Sequence, residues 1–405
     1  MANYTKVTHC RICGSLLTEL FKIAPQYLAS TFVKQNKKSD IKIPMTVMMC
    51  PICNLVQLKE TVNPDLLYSQ YFYRSNVADT MKKDLQELVD SVCKLVPNAK
   101  YALDIGCNDG LMMTMLSEYA TPVGIDPATN IIPVDEDLTI IQDYFPSKQL
   151  DSKEFDIVTS TACFYDFPDP NKAVKEMKKL LTKDGVICIQ VSYLYDTIKD
   201  MNFYDFVHEH LEYYSLKSLK YLFERNGLKI FDATTNWVNG GSLRIYATHK
   251  NSKRPISDNI KYLLKKESIL RLDDIDTYVW FSQLIKMSSK KVRDYILSQK
   301  GLVIALGAST KGNVLLQLCN LTKKEIPYIS ERAQHKIGLR NLGLDMKLIS
   351  EEEAREKKPV CMFVIPWNFK DEIIEREKAY IENGGKLLFI MPYPYIVDLQ
   401  GEHRL

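Results

Sequence analysis

Apolar and polar positions follow two rhythms along this chain of 405 residues. Short apolar runs bounded by turn residues read as buried strands. Runs with apolar positions every three or four residues read as amphipathic helices. From Tyr101 onward the two rhythms take turns. Strands are predicted at 101–106, 122–126, 138–142, 155–160 and 185–191, and helices at 110–119 and 170–182. Lys183–Val191, KDGVICIQV, reads as a helix exit, a glycine turn and a buried strand. A helix at 215–226 ends near Gly227, and closing strands follow at 228–236 and 242–248. Such alternation predicts a parallel sheet with helices on both faces and ligands at the carboxyl ends of its strands.

The flanks have their own patterns. Residues 1–65 read as a small lobe of short strands, and the aromatic stretch Tyr68–Ser75 precedes a helix from about Val77 to Leu95. Residues 254–300 are charged and helical, with Trp280 and Phe281 as apolar points, and read as a linker or bridging helices. From Gly301 a second α/β unit begins: GLVIALGAST is a strand, KGNVLLQLCN starts a helix, and Pro359–Trp367 is another buried strand. A helix at 369–382, Gly384-Gly385 and the strand KLLFIM complete it. The fold class expected is α/β, in parts spanning 1–65, 66–250, 251–300 and 301–405.

Composition narrows the class. A 46% apolar share supports sizeable cores, and a net charge of +3 argues against a dominant nucleic-acid surface. No long apolar run suits a membrane span, and the N-terminus MANYTKVTHC lacks the apolar region of a signal peptide. Ten cysteines without an export signal read as cytoplasmic thiols rather than a disulfide framework.

The densest chemistry lies in Tyr101–Gly110, YALDIGCNDG, followed by VGIDP at Val123–Pro127. A strand runs into a glycine turn and a helix, and the next strand ends on Asp126, twenty positions after Gly106. Gly106 admits a close backbone approach, and an acid at the second strand's end accepts hydrogen bonds from ribose hydroxyls. The loop is not the G-x-G-x-x-G of dinucleotide binders. Asp104 and Asp109 near it would repel a pyrophosphate and welcome a cation. S-adenosylmethionine (SAM) is cationic and carries no phosphate, so SAM is favoured over NAD. Asn108 completes the loop, while Tyr73 and Ser75 belong to a segment that reads as a flap over it or as packing.

Four cysteines form Cys10-x-x-Cys13 and Cys50-x-x-Cys53, with 36 residues between the pairs. Two such knuckles close a tetrahedral four-thiolate zinc site, which leaves no open position and reads as structural.

Three further clusters carry candidate chemistry. His208-Glu209-His210 is read as a general acid–base segment because histidine titrates near neutrality. A metal site or structural hydrogen bonding is the alternative. Asn239-Gly240-Gly241-Ser242-Leu243-Arg244 is a hairpin turn whose Asn239, Ser242 and Arg244 are candidates to face substrate. Gly307-Ala308-Ser309-Thr310-Lys311-Gly312 lies at a strand-to-helix turn, where free N–H groups, Ser309 and Lys311 suit a phosphate. A plain glycine turn is the alternative.

These pieces in this order resemble the sugar C-methyltransferases of deoxysugar biosynthesis, over essentially the whole chain. The resemblance implies an N-terminal zinc domain, a SAM domain and a C-terminal Rossmann-like domain. It implies a nucleotide-linked 4-keto-deoxysugar, methylated at the carbon beside the ketone. His210 falls where that family carries its base, with Glu209 assisting. Lys311 and its turn would hold the diphosphate. The chain departs from the family at Val207 (tyrosine), Asn239 and Asp166 (histidines) and Ala162 (asparagine). Those departures keep oxygen or nitrogen open as the methyl acceptor. A zinc-knuckle nucleic-acid binder or RNA methyltransferase is the reading from another class, and charge counts against it. A monomer or weak homo-oligomer is expected.

Overall fold

The computed structural model describes residues 3–36, 41–69, 74–75, 79–151 and 153–405. Contacts gather the chain into two units that the backbone visits in turn. The first comprises 1–19, 48–196 and 209–274; the second comprises 20–47, 197–208 and 275–405. These divisions run along other lines than boundaries at 65, 250 and 300.

The first unit is built on a seven-stranded sheet. Its strands are β1 (Tyr101–Ile105), β2 (Thr121–Ile125), β3 (Thr139–Ile141), β4 (Phe155–Thr161), β5 (Leu181–Ser192), β6 (Leu228–Asn236) and β7 (Ser242–His249). The spatial order is β6-β7-β5-β4-β1-β2-β3. Strands β1 to β5 pair in parallel, whereas β7 runs antiparallel to both β5 and β6. The expected all-parallel sheet is therefore mixed: a short turn joins β6 to β7, and a short turn allows only an antiparallel return.

Strand alternation splits the core between the two faces. Leu103, Ile105, Val158, Ile187 and Ile189 pack on one face. Ala102, Ile157, Val186 and Cys188 pack on the other, with helices α1 (Asp79–Leu95) and α2 (Leu111–Leu116). The first face is covered by α3 (Pro170–Leu180), α4 (Leu216–Arg225) and α5 (Asp258–Ile269). Helix α3 passes straight into β5 at Leu181, so the glycine turn expected at Gly185 lies within the strand.

The stretch 254–300 consists mainly of two helices. Helix α5 buries Ile260 and Leu263 in the first unit. Its Glu267 accepts from Leu216 N at 2.6 Å, Lys217 N at 3.1 Å and the Tyr193 hydroxyl at 2.9 Å, which caps α4. Helix α6 (Ile275–Ser298) belongs to the second unit. There Phe281 packs on Phe21 and Phe206, so three distant segments share one aromatic cluster.

The second unit holds a nine-stranded sheet. Its strands are β8 (Val303–Leu306), β9 (Tyr328–Glu331), β10 (Arg340–Asn341), β11 (Lys347–Ser350), β12 (Cys361–Val364), β13 (Leu387–Phe389), β14 (Tyr395–Asp398) and β15 (Gly401–Arg404). The order is β15-β14-β13-β12-β8-β9-β11-β10, with the early strand Phe32–Val33 at the edge. Helix α7 (Thr310–Leu318) follows β8. The helix expected at 369–382 is two short ones, Lys370–Arg376 and Lys378–Glu382. No helix among the described residues is long and apolar enough to cross a membrane.

Candidate functional site

The chain runs β1→β2→β3 toward one edge of the first sheet and then returns to β4 on the other side of β1. This reversal opens a crevice at the carboxyl ends of β1 and β4, the usual ligand position in open α/β sheets. Both chemistry-bearing segments of the first unit converge on these strand ends.

The loop after β1 is a run of left-handed residues: Gly106, Asn108 and Gly110 have φ of 74°, 50° and 79°. Gly106 N donates to Ile125 O at 2.8 Å, and a Cβ at this glycine would lie 2.5 Å from Cys163 Sγ. Dihedral and space both demand glycine here. Asp126 ends β2, and its carboxylate accepts from Asn108 N at 3.0 Å and Ala128 N at 2.9 Å. A carboxylate offers about four acceptor positions, so Asp126 keeps capacity for hydroxyl donors. Asn108 Oδ1 accepts from Ser75 N at 3.1 Å, which ties residue 75 to the loop. Tyr73 lies outside the described residues. Asp109 is buried and caps Leu111 N at 3.4 Å. Arg74, absent from the sequence reading, is drawn electrostatically to Asp109 and Asp126.

Asp104 is placed differently from expectation. It is buried, accepts from Thr159 Oγ1 at 2.9 Å, and burial pushes its carboxyl up to about 7. It braces β1 against β4 and does not offer a full negative charge to a ligand.

The segment after β4 carries the second group. Ala162 sits at φ 56°, a strained value for alanine. The turn Phe164–Asp166 follows. Leu211 N donates to Tyr165 O at 2.8 Å, so residues 209–212 run beside this turn. The His210 ring lies over the Tyr165 ring with centroids 4.0 Å apart and planes at 43°. Glu209 is buried nearby, and its carbonyl accepts from the Tyr68 hydroxyl at 3.2 Å. His208 belongs to the other unit. It is 1% exposed, its Nε2 sits 3.1 Å from Ile43 O, and burial lowers it to about 4. The expected two-histidine acid–base segment is thus divided: His208 is a neutral structural residue, and the alternation of chain direction sends only Glu209 and His210 to the sheet.

The two cysteine knuckles are near copies. Cys10 N bonds Ser15 O and Gly14 N bonds Cys10 O; Cys50 N bonds Leu55 O and Asn54 N bonds Cys50 O. Gly14 and Asn54 take the same left-handed turn, at φ of 78° and 57°. Backbone N–H groups of Ile12 and Cys13 point at Cys10 Sγ, and those of Ile52 and Cys53 at Cys50 Sγ, at 3.4–3.5 Å. All four sulfurs lie within 4.8 Å of one another. Four thiolates converging on one point, with N–H donors behind them, fit a tetrahedral zinc ion. Between Cys10 and Cys13, Arg11 forms a buried ion pair with Glu212 at 3.4 Å, which sequence spacing did not signal.

Comparison with known proteins follows this layout along the chain. Residues 10–68 match a zinc binding domain, 73–233 a methyltransferase domain and 237–392 a C-methyltransferase C-terminal domain. C-methyltransferase NovU of Streptomyces niveus is 26% identical over 97% of this chain and 98% of its own length. The chain is a SAM-dependent methyltransferase, similar along its whole length to the C-methyltransferase NovU. A tRNA U34 carboxymethyltransferase of Campylobacter jejuni is 26% identical over 39% of this chain and 63% of its own length. The plantazolicin methyltransferase BpumL, solved with SAH, aligns over 43% of this chain and 86% of its own at 16% identity and a TM-score of 0.34.

In this methyltransferase the residues fit SAM: an acid with spare acceptor capacity ends β2, and the left-handed loop lies beside it, with Gly106 partly exposed. Asn108, Asp109 and Asp126 would hold SAM around the Gly106 turn. The candidates beyond β6 are bound elsewhere. Arg244 pairs with Asp84 at 2.8 Å and donates to Gln190 Oε1 at 2.8 Å, all buried between α1 and the sheet. Ser242 Oγ donates to Val238 O at 2.9 Å. Both side chains are buried and held by partners within the protein, which makes their role structural. Asn239 occupies the left-handed position of the turn at φ 57°. In the second unit Ser309 Oγ caps α7 by accepting from Gly312 N at 3.0 Å. Lys311 pairs with buried Asp205 and stands over the Tyr204 ring at 4.9 Å, so its charge is already matched within the unit. The expectation of Lys311 as a free phosphate anchor is corrected accordingly: an acid that the sequence places a hundred residues earlier occupies it.

Proposed function

We propose that the enzyme methylates carbon beside the ketone of a nucleotide-activated keto-deoxysugar, with His210 as the base. The carrying observation is the seating of His210 on Tyr165 at the carboxyl end of β4, the strand adjoining the cofactor loop. Such a C–H bond is inert until its proton leaves. His210 takes that proton, and the electron pair of the C–H bond spreads onto the ketone oxygen. Bound SAM supplies an electrophilic methyl group for the carbanion carbon. Tyr165 orients the imidazole, Glu209 sits beside it, and the buried setting of the segment keeps water from competing. NovU, a C-methyltransferase by name, supports carbon as the acceptor.

Exchange of the substrate's α-proton in D2O tests this reading, with dTDP-4-keto-6-deoxyglucose as probe and SAH bound. His210→Gln is expected to keep SAH affinity and lose exchange by about 10²–10⁴-fold, the usual worth of a positioned base. Exchange at the wild-type rate in His210→Gln removes histidine from the role. Methyl transfer without any exchange moves the acceptor to oxygen or nitrogen.

A further inference from the structure

Residues 209–212 run between two other stretches of the first unit. On one side Leu58 N donates to Leu211 O at 2.9 Å, and the strand Glu212–Tyr213 pairs antiparallel with Val56–Leu58. On the other side Leu211 N donates to Tyr165 O at 2.8 Å. The seat of His210 on Tyr165 depends on how these stretches are spaced. Arg11 touches all three. Its Nε lies 3.4 Å from Glu212 Oε1, with the two side chains 4% and 0% exposed. One terminal nitrogen donates to Leu58 O at 3.3 Å and to Thr61 Oγ1 at 2.8 Å. The other donates to Pro168 O at 3.4 Å, just beyond the turn that carries Tyr165. The backbone of Arg11 is held as well: its N donates to Gln57 Oε1 at 2.9 Å, and its carbonyl accepts from Asn171 Nδ2 at 2.8 Å, at the start of α3. Cys10 and Cys13 flank it, so closure of the knuckle sets where the guanidinium stands.

We propose that Arg11 is a positioning residue for the base: its fork spaces the 209–212 segment between Leu58 and the turn after β4, and so keeps the His210 ring over Tyr165. Its bearing on turnover rests on His210 being the base. Arg11 acts through geometry alone, and no proton moves through it. Glu212 is the point by which the guanidinium grips the strand that follows His210, and a buried carboxylate of this kind is tolerated only with a partner. Charge pairing and spacing are separable. A guanidinium is planar and carries its N–H donors in a fixed fork, whereas an ammonium is a point charge on a flexible stem. Lysine in this place keeps a cation for Glu212 but cannot hold Leu58 O, Thr61 Oγ1 and Pro168 O at fixed angles to it.

Two variants and two readouts test it. Arg11→Lys is expected to fold and to keep SAH affinity, while α-proton exchange falls by about 10–100-fold, the usual cost of removing a supporting partner. The second readout is nuclear magnetic resonance of protein carrying isotopically labelled histidine, with the His210 signal assigned through His210→Gln. In wild type the Tyr165 ring current is expected to move the His210 ring protons upfield, and Arg11→Lys is expected to lose part of that shift. Arg11→Met combined with Glu212→Leu removes both charges. It is expected to regain the thermal stability that Arg11→Met alone loses, because no charge is stranded, yet to stay impaired in exchange and in the His210 shift. This pair carries both readouts should Arg11→Lys not fold. Wild-type exchange or an unmoved His210 signal in Arg11→Lys overturns the proposal. A charge-free pair that regains exchange together with stability overturns it too, since Arg11 then serves charge balance alone. Wild-type protein that exchanges no proton rejects the His210 reading instead, while the His210 shift still decides whether Arg11 sets that ring's seat.

Discussion

Replacing Arg244 by methionine separates a structural from a substrate role for this residue. Arg244 and Asp84 face each other at 2.8 Å, with side chains 7% and 1% exposed. Asn236 Nδ2 donates to the same Asp84 oxygen at 2.8 Å, and Gln190 to the other. Removing the cation leaves a buried carboxylate with amide partners only. Breaking one side of such a pair costs about 3–5 kcal/mol, and the two amides place Arg244→Met near the lower figure. For a unit of this size about 3 kcal/mol lowers Tm by about 6–12 °C. Burial already raises Asp84 above its ordinary value despite Arg244, so loss of the cation raises it further. A carboxyl whose folded value is raised favours folding most at low pH, and that advantage is lost as pH rises through the folded value. The deficit of Arg244→Met therefore shrinks as pH falls from 8 toward 5. Asp84→Leu combined with Arg244→Met is expected to recover most of the loss, because an apolar pair carries no stranded charge. Thermal and urea unfolding followed by circular dichroism at several pH values reads all three effects. A deficit under about 1 kcal/mol at neutral pH, with impaired acceptor binding as the main defect, would refute the structural assignment.

Two further outcomes are expected. Cys53→Ser removes one of four converging thiolates. Metal analysis should show zinc well below one ion per chain, with a lowered melting temperature, because the knuckles' folding is coupled to the ion; full retention of zinc refutes the four-thiolate assignment. His208 is neutral in the folded chain down to about 4, whereas the unfolded chain takes up the proton at the ordinary histidine value. Stability is therefore lost as pH falls from about 6.5 to 4, by about 3 kcal/mol in all. His208→Gln should flatten that decline in pH-dependent unfolding, and an unchanged slope refutes the buried neutral imidazole.

Much of the site could be read from short-range pattern. Gly106 and Asp126 are twenty residues apart, yet one strand–helix–strand unit separates them, and the hydrophobic rhythm of β1, α2 and β2 carries them together. The cysteine knuckles are equally local: each closes on its own turn, so spacing alone defined the ligands. The errors concern residues whose partners are remote. Nothing near Arg244 hints at Asp84, 160 residues earlier. Nothing near Lys311 points to Asp205, nor does His208 announce Ile43 O, 165 residues away. A charged or basic side chain in a motif-like run reads as functional until its countercharge is located. Glu267 escaped for the same reason, since the charged surface of α5 resembles that of a linker helix.

The sequence by itself determined the α/β alternation, the strand ends that carry the cofactor loop and the four-cysteine cluster, because period-two and period-3.6 burial and turn chemistry are local properties. Tertiary structure alone decided which polar residues stay available. It divided His208-Glu209-His210 between two units, seated His210 on Tyr165, turned β7 antiparallel and spent Arg244 and Lys311 on buried acids. The physical reason is that a buried charge is tolerated only with a partner, and in this chain those partners come from distant strands and helices that no spacing rule connects.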